Sequence, residues 1–256
     1  MAVIRTAPGE SVTLRALGLL EAFDEQHRVL SLSQIARRAS VPIATAQRRL
    51  RDLTDGRLVT RRDDGLFEIG SRMWHLGLLS RHTSMREAAL PHLQDLVAKS
   101  GHTVHLGVLD GDLAMIVDRI AGTRTTPTRH LPGARLPLHC TAIGKVLLAF
   151  ASHDVQERAL TALTRHTPFT ITDPAIMRAQ LDAVVKTRIA DSHQQHRMGV
   201  TSIAVPVIGQ DGSVLAGVAM MAPAEASLDA HRQSLRACAQ AVARSVEILE
   251  HRWYDE

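Results

Sequence analysis

Apolar residues in the first seventy positions recur at helical spacing and then give way to short extended runs. Between Thr13 and Phe23, Leu14, Ala16, Leu17 and Leu20 mark a first helix. Ser33 is placed to cap a second, short helix that buries Ile35, Ala36 and Ala39. Ser40-Val41-Pro42 breaks the chain, and a third helix follows with proline in its first turn. Its inward face is set by Ala46, Leu50 and Leu53, and Asp55-Gly56 ends it. Two extended runs, Leu58 to Arg61 and Leu66 to Ile69, flank Arg62-Asp63-Asp64-Gly65, whose Asp-Gly pair is a hairpin turn signal. Three helices and a small hairpin predict a winged helix-turn-helix.

Two more amphipathic stretches come next. Arg72 to His82 carries Met73, Leu76 and Leu79 on one side and reads as a linker helix, and Met85 to Ser100 repeats the pattern. After Gly101 the periodicity changes. Thr103 to Leu109 and Leu113 to Ile120 pair around Asp110-Gly111, and Thr201 to Ile208 and Val214 to Met221 pair around Asp211-Gly212. Helices are predicted over Ala142 to Ala151, Val155 to Leu163, Pro174 to Ile189 and Ser227 to Trp253. Strand pairs with tight turns and helices packed on them predict an α+β fold with an antiparallel sheet. The expected organisation is a DNA-binding domain over residues 11–70, a linker helix over 71–82, and an α+β domain over 83–256, whose effector-binding and oligomerisation roles rest on the resemblance given below.

Composition narrows the function classes. Hydrophobic residues make up 45% of the 256, which supplies a globular core and excludes a disordered chain. No apolar run approaches the roughly 20 residues that span a bilayer, and Met1 to Glu10 lacks a secretion-signal core. Two cysteines, Cys140 and Cys238, give no disulfide framework, so a cytoplasmic protein without membrane contact is expected. The formal net charge of +4 matters less than its distribution. Eight arginines lie between Arg37 and Arg62 against only Asp52 and Asp55, a cluster suited to phosphate.

If Ala46, Leu50 and Leu53 face inward, Ala44, Arg48 and Arg51 point outward, flanked by Thr45 and Gln47. Such a helix reads base edges from a major groove. Arg48 suits guanine, Gln47 adenine, and Thr45 a thymine methyl or a phosphate. Arg61 and Arg62, on the wing, suit backbone phosphate.

Other chemistries find less support. His193 and His196 have H-x-x-H spacing and His139-Cys140 offers soft ligands, but no Cys/His set at diagnostic spacing accompanies them, so no metal is expected. His102 and His105 fall on opposite faces of a strand. Ser202, His139 and Asp191 would make a hydrolase triad only with a nucleophile elbow, and no G-x-S-x-G occurs. Phosphate-binding glycine fingerprints are absent too, so neither catalysis nor a cofactor is expected. The alternative to an operator-binding regulator is a ligand-binding protein or scaffold without operator recognition.

The order Ile35-Ala36-Arg37, Pro42, Thr45, Arg48, Leu50, Gly56, Gly65, Gly70 resembles the IclR family of transcriptional regulators. The second half agrees through Leu136-Pro137-Leu138-His139, Ala142 to Ala149, Thr170-Ile171-Thr172, Gly199 to Val207 and Asp211-Gly212. The resemblance covers nearly all of the chain after residue 10. It implies a GAF-like effector domain, a homodimer or homotetramer, and a double-stranded DNA operator whose affinity a small molecule modulates, with repression as the expected sign. It places the effector against the sheet beside Ala142, Ile143, Ser192, Val200, Ser202, Ala219 and Met221, with Thr128 from a preceding loop. The chain departs from the family pattern at Ser192-His193-Gln194-Gln195-His196, often acidic there, and at Ser202, where cysteine is common. Ala219 and Met221 stand where serines often occur. These departures predict an organic acid or aromatic compound larger or more apolar than a two- or three-carbon acid.

Overall fold

The computed structural model describes residues 11–124 and 130–254. It divides into two compact units, residues 1–80 and 81–256. In the first unit α1 (Val12–Leu20), α2 (Leu32–Arg38) and α3 (Ile43–Asp55) close over Leu19, Ile35, Ala36, Ala46, Leu50 and Leu53. Strands β1 (Val29–Leu30), β2 (Val59–Arg61) and β3 (Phe67–Ile69) form a sheet in the order β1-β3-β2. Gly65, at φ +80°, makes the wing turn between β2 and β3, a conformation glycine adopts without strain. Helix α4 (Ser71–Leu78) ends this unit and buries none of its residues.

Several local expectations need correction here. The α2 cap is Ser31, not Ser33. Its hydroxyl accepts from the Gln34 amide while the Gln34 side chain accepts from the Ser31 amide, and Ser33 has only Ala36 three residues on. Pro42 is the N-cap of α3 rather than part of its first turn. Strand β1 escaped notice because two residues show no alternation. The linker stretch stops at Leu78, since Leu79 and Ser80 turn back onto Leu76 and Gly77, and His82 belongs to the next helix.

The second unit is one six-stranded antiparallel sheet with helices on both faces. Its strands are β4 (Thr103–Asp110), β5 (Leu113–Ile120), β6 (Arg135–Pro137), β7 (Ala190–His193), β8 (Val200–Ile208) and β9 (Val214–Pro223), ordered β6-β5-β4-β9-β8-β7. Helices α5 (Arg81–Ser100) and α9 (Arg232–Tyr254) bury one face against Leu106, Ile203, Val205, Val218 and Met220. On the other face, α6 (Ala142–Ala149) and α8 (Pro174–Thr187) pack on Ile116, Ala204 and Ala219, beside α7 (His153–Thr161). Even and odd positions of β9 therefore serve different cores, as strand alternation requires. The edge strands β6 and β7 were not predicted. Both are short, and Ala190-Asp191-Ser192-His193 alternates buried and exposed with too little apolar content to register. The final helix begins later than Ser227, after a 3-10 turn at Asp229–His231.

Glycines let α6 approach the sheet. A Cβ on Gly107 or Gly217 would meet Ile143 side-chain atoms at 2.7 and 3.0 Å, and one on Gly144 would lie 2.5 Å from the Leu138 carbonyl oxygen. Helix α6 is thereby held low over β4 and β9. Between its N-terminus and the sheet lies a cleft.

Candidate functional site

The outward face of α3 is built by exclusion. Burial of Ala46, Leu50 and Leu53 turns Ala44, Gln47, Arg48 and Arg51 to solvent, with Thr45 half-buried. Ile43, 56% exposed at the helix start, joins them; an apolar residue at that position gave no signal in sequence. The arginine cluster divides by partner. Arg38 donates to the Ala22 carbonyl at 2.6 Å and pairs with Asp24, and Arg49 pairs with Asp52 at 3.5 Å. These two brace the fold. On the wing, Arg62 lies 3.3 Å from Asp64 and 3.7 Å from Glu68, and Arg61 stands over the Phe67 ring at 5.8 Å. Among the described residues Arg48 and Arg51 form no ion pair.

The cleft in the second unit encloses about 430 Å³ of empty space, some of it open to solvent. Ala142, Ile143, Ser192, Val200, Ser202, Ala219 and Met221 all line it. Strand register explains how distant residues meet: Ser192 opposes Ser202, which opposes Met221, and one rung away Ala219 opposes His105. Thr128 lies outside the described residues. Its walls are mostly apolar, through Leu136, Ile143, Val200, Ala219 and Met221.

Polar groups occupy particular places in this cleft. Thr141 caps α6 by accepting from the Gly144 amide at 3.1 Å, and among the described residues the amides of Ala142 and Ile143 remain unsatisfied donors of the first turn. Ser192 donates to the Cys140 carbonyl at 2.8 Å. Arg197 and His196 reach in from the loop after β7. His105 is 1% exposed, and among the described residues its Nε2 has no hydrogen-bond partner. Burial, reinforced by His130 and Arg119, lowers its pKa to about 3, so the ring is neutral. On α6 itself, Lys145 is buried yet satisfied by Gln180 Oε1 at 2.7 Å and the Asp191 carbonyl at 3.0 Å.

The imagined triad does not assemble. His139 Nε2 donates to the Thr164 carbonyl at 2.9 Å, and Asp191 pairs with Arg232 at 2.8 Å. Burial pushes the Cys140 thiol up to about 12, which leaves it a poor nucleophile.

Comparison with known proteins decides the identity of this arrangement. Residues 12–63 match the IclR helix-turn-helix domain, and residues 78–248 match the bacterial transcriptional regulator IclR C-terminal domain. The chain belongs to the IclR family. It is 32% identical over 229 residues to the p-hydroxybenzoate hydroxylase transcriptional activator of Acinetobacter baylyi, covering 85% of this chain and 83% of that protein. It is 28% identical over 241 residues to the HTH-type transcriptional regulator XynR of Escherichia coli, covering 91% and 95%. A crystal structure of an IclR homolog from Microbacterium hydrocarbonoxydans, complexed with 4-hydroxybenzoate, matches with a TM-score of 0.87 at 27% identity over 93% of this chain and 100% of that one.

As an IclR-family member this protein is a DNA-binding transcriptional regulator modulated by a small-molecule effector, and not an enzyme. No helix among the described residues is long and apolar enough to cross a membrane. Sequence reasoning did not place His105, His130, Leu136, Cys140, Thr141, His196 and Arg197 along the IclR-type cleft, although Leu136 stood in the family motif and Cys140 and His196 were weighed as metal ligands. His196 left a signal in the stretch that departs from the family pattern, and His105 in sharing a strand face with Gly107. Seeing the latter required knowing that β4 pairs with β9.

Proposed function

We propose that this regulator binds a palindromic operator through paired α3 helices and releases it when a hydroxylated single-ring aromatic acid fills the cleft. In this reading Arg48 and Gln47 contact base edges, Ile43 and Thr45 meet thymine methyls, and Arg51, Arg61 and Arg62 contact phosphates. The observation that carries the effector assignment is the buried, unpartnered Nε2 of His105 in a cleft whose walls are otherwise largely apolar. A hydroxyl on an aromatic ring satisfies that nitrogen, while Leu136, Ile143, Val200 and Met221 sandwich the ring. The carboxylate is taken by the Ala142 and Ile143 amides at the positive end of α6, with Arg197 beside them. Two relatives lend support, one bound to 4-hydroxybenzoate and one named for p-hydroxybenzoate hydroxylase.

The working form is a homodimer, to which the exposed Trp74, Leu76 and Leu79 of the α4 region contribute apolar surface. A dimer of dimers would add no new requirement at the DNA. Its test is selection of bound sequences from random duplexes, followed by titration of the recovered operator complex with 4-hydroxybenzoate, benzoate, pyruvate and glyoxylate. Recovery of a two-fold symmetric site, with release strongest for 4-hydroxybenzoate, supports the reading. Release by the two- and three-carbon acids alone overturns the effector assignment, and recovery of no sequence with or without ligand overturns operator recognition. Tighter operator binding with 4-hydroxybenzoate overturns the repressor sign.

A further inference from the structure

We propose that His139, Cys140, His166 and His196 form a tetrahedral site for a zinc-class divalent metal ion at the rim of the cleft. The four side chains come from three segments that the fold brings together. His139 and Cys140 precede α6, His166 lies between α7 and α8, and His196 lies in the loop after β7. One ligand atom each from His139, Cys140 and His166 all fall within 4.8 Å of one another. The Cys140 Sγ is 3.8 Å from His196 Nδ1, and the rings of His166 and His196 are 5.1 Å apart. Ligands on a tetrahedral ion, bound at 2.0–2.3 Å, stand about 3.3–3.8 Å from each other. Of His139, Cys140 and His166, His166 is the exposed one, whose ring can turn to close the set around an ion.

Surrounding bonds prepare the site. Because a carbonyl only accepts, the bond from His139 Nε2 to Thr164 fixes the proton on Nε2 and leaves the Nδ1 lone pair for a metal. Such outer bonds characteristically orient metal-binding histidines. The loops holding His166 and His196 are already joined, since Thr167 donates to the Gln194 carbonyl at 2.7 Å and Thr170 to the Gln195 carbonyl at 2.6 Å. Imidazole and thiolate without a carboxylate select zinc, or cobalt as its spectroscopic substitute, over calcium and magnesium. On binding, the Cys140 thiol gives its proton to solvent. Cys140 and His196 also line the cleft, so the ion would tie down two of its walls.

The experiment uses tag-free, full-length protein stripped of metal and titrated with cobalt(II). One ion per chain is expected, with intense visible bands of tetrahedral cobalt and a near-ultraviolet thiolate-to-cobalt charge-transfer band. Cys140→Ser removes the charge-transfer band. His166→Ala, at an exposed loop position that leaves folding intact, weakens binding at least about tenfold. His153→Ala, an exposed histidine on α7, leaves affinity unchanged. Absence of the thiolate band in the wild type, or equal cobalt affinity in the wild type and His166→Ala, overturns the proposal.

Discussion

In the N-terminal unit Ala44, Gln47, Arg48 and Arg51, the side chains we propose meet DNA, stand exposed on α3, while in the C-terminal unit Ser192, Ala219, Met221 and His105, proposed for the effector, are buried in the fold. The first surface is the remainder left when three apolar residues are turned inward. The second is made of the core itself, by small residues that keep α6 close and by one polar ring without a partner. A DNA duplex is approached from outside, so its reader can be altered without touching stability. A small effector must be enclosed, so its reader cannot.

That contrast can be broken or sharpened by substitution. Leu50→Ala, on the inward side of α3, should cost about 2–5 kcal/mol and abolish operator binding by loosening the small N-terminal core, as thermal unfolding would register. In the second unit, Gly144→Val should cost about 3 kcal/mol, because the Leu138 carbonyl and Thr141 hydroxyl each lie 2.5 Å from the added Cβ. Effector affinity should fall with it. Arg48→Ala should leave unfolding within about 0.5 kcal/mol of the wild type. It should weaken specific operator binding by about 2 kcal/mol and relax one base position. Unchanged sequence selectivity would remove Arg48 from the readers.

Smaller effects test the electrostatics of each half. His105 binds a proton at 6.5 when unfolded but only near 3 when folded. Between those values the unfolded chain holds more protons, so stability falls as pH drops below 6.5. At about pH 5.5 this loss should reach about 1 kcal/mol in the wild type and be absent from His105→Gln, so that it appears in full in the difference between the two. A parallel acid limb in the two proteins would contradict it. Arg62→Ala should weaken all duplexes alike by less than about 1 kcal/mol and flatten the salt dependence, since Asp64 and Glu68 already share that guanidinium.

How far the sequence could be read follows the same division. On α3, a period of 3.6 and three apolar residues suffice to define the exposed face, because both are local properties of one helix. The four long strands and the glycine turns were equally legible. Edge strands β6 and β7 were not, since their pairing partners lie far along the chain and their own patterns are short. The resemblance named seven residues that now line one cleft, yet it gave no account of His105 or His130 and marked His196 only as a departure from the family pattern. Those come from β4 and two loops, and nothing in their spacing relates them.

The sequence by itself determined the two-unit plan and the arginine-bearing helix, because each depends on patterns within a few turns or a strand pair. Tertiary structure decided that Arg38 is spent on bracing, through Asp24 and the Ala22 carbonyl, while Arg48 and Arg51 form no ion pair among the described residues. It also decided that His139, Cys140, His166 and His196 converge. The reason is physical: ion pairs and side-chain clusters depend on distances across the sheet and between loops, and those distances exist only once both faces of the sheet are packed.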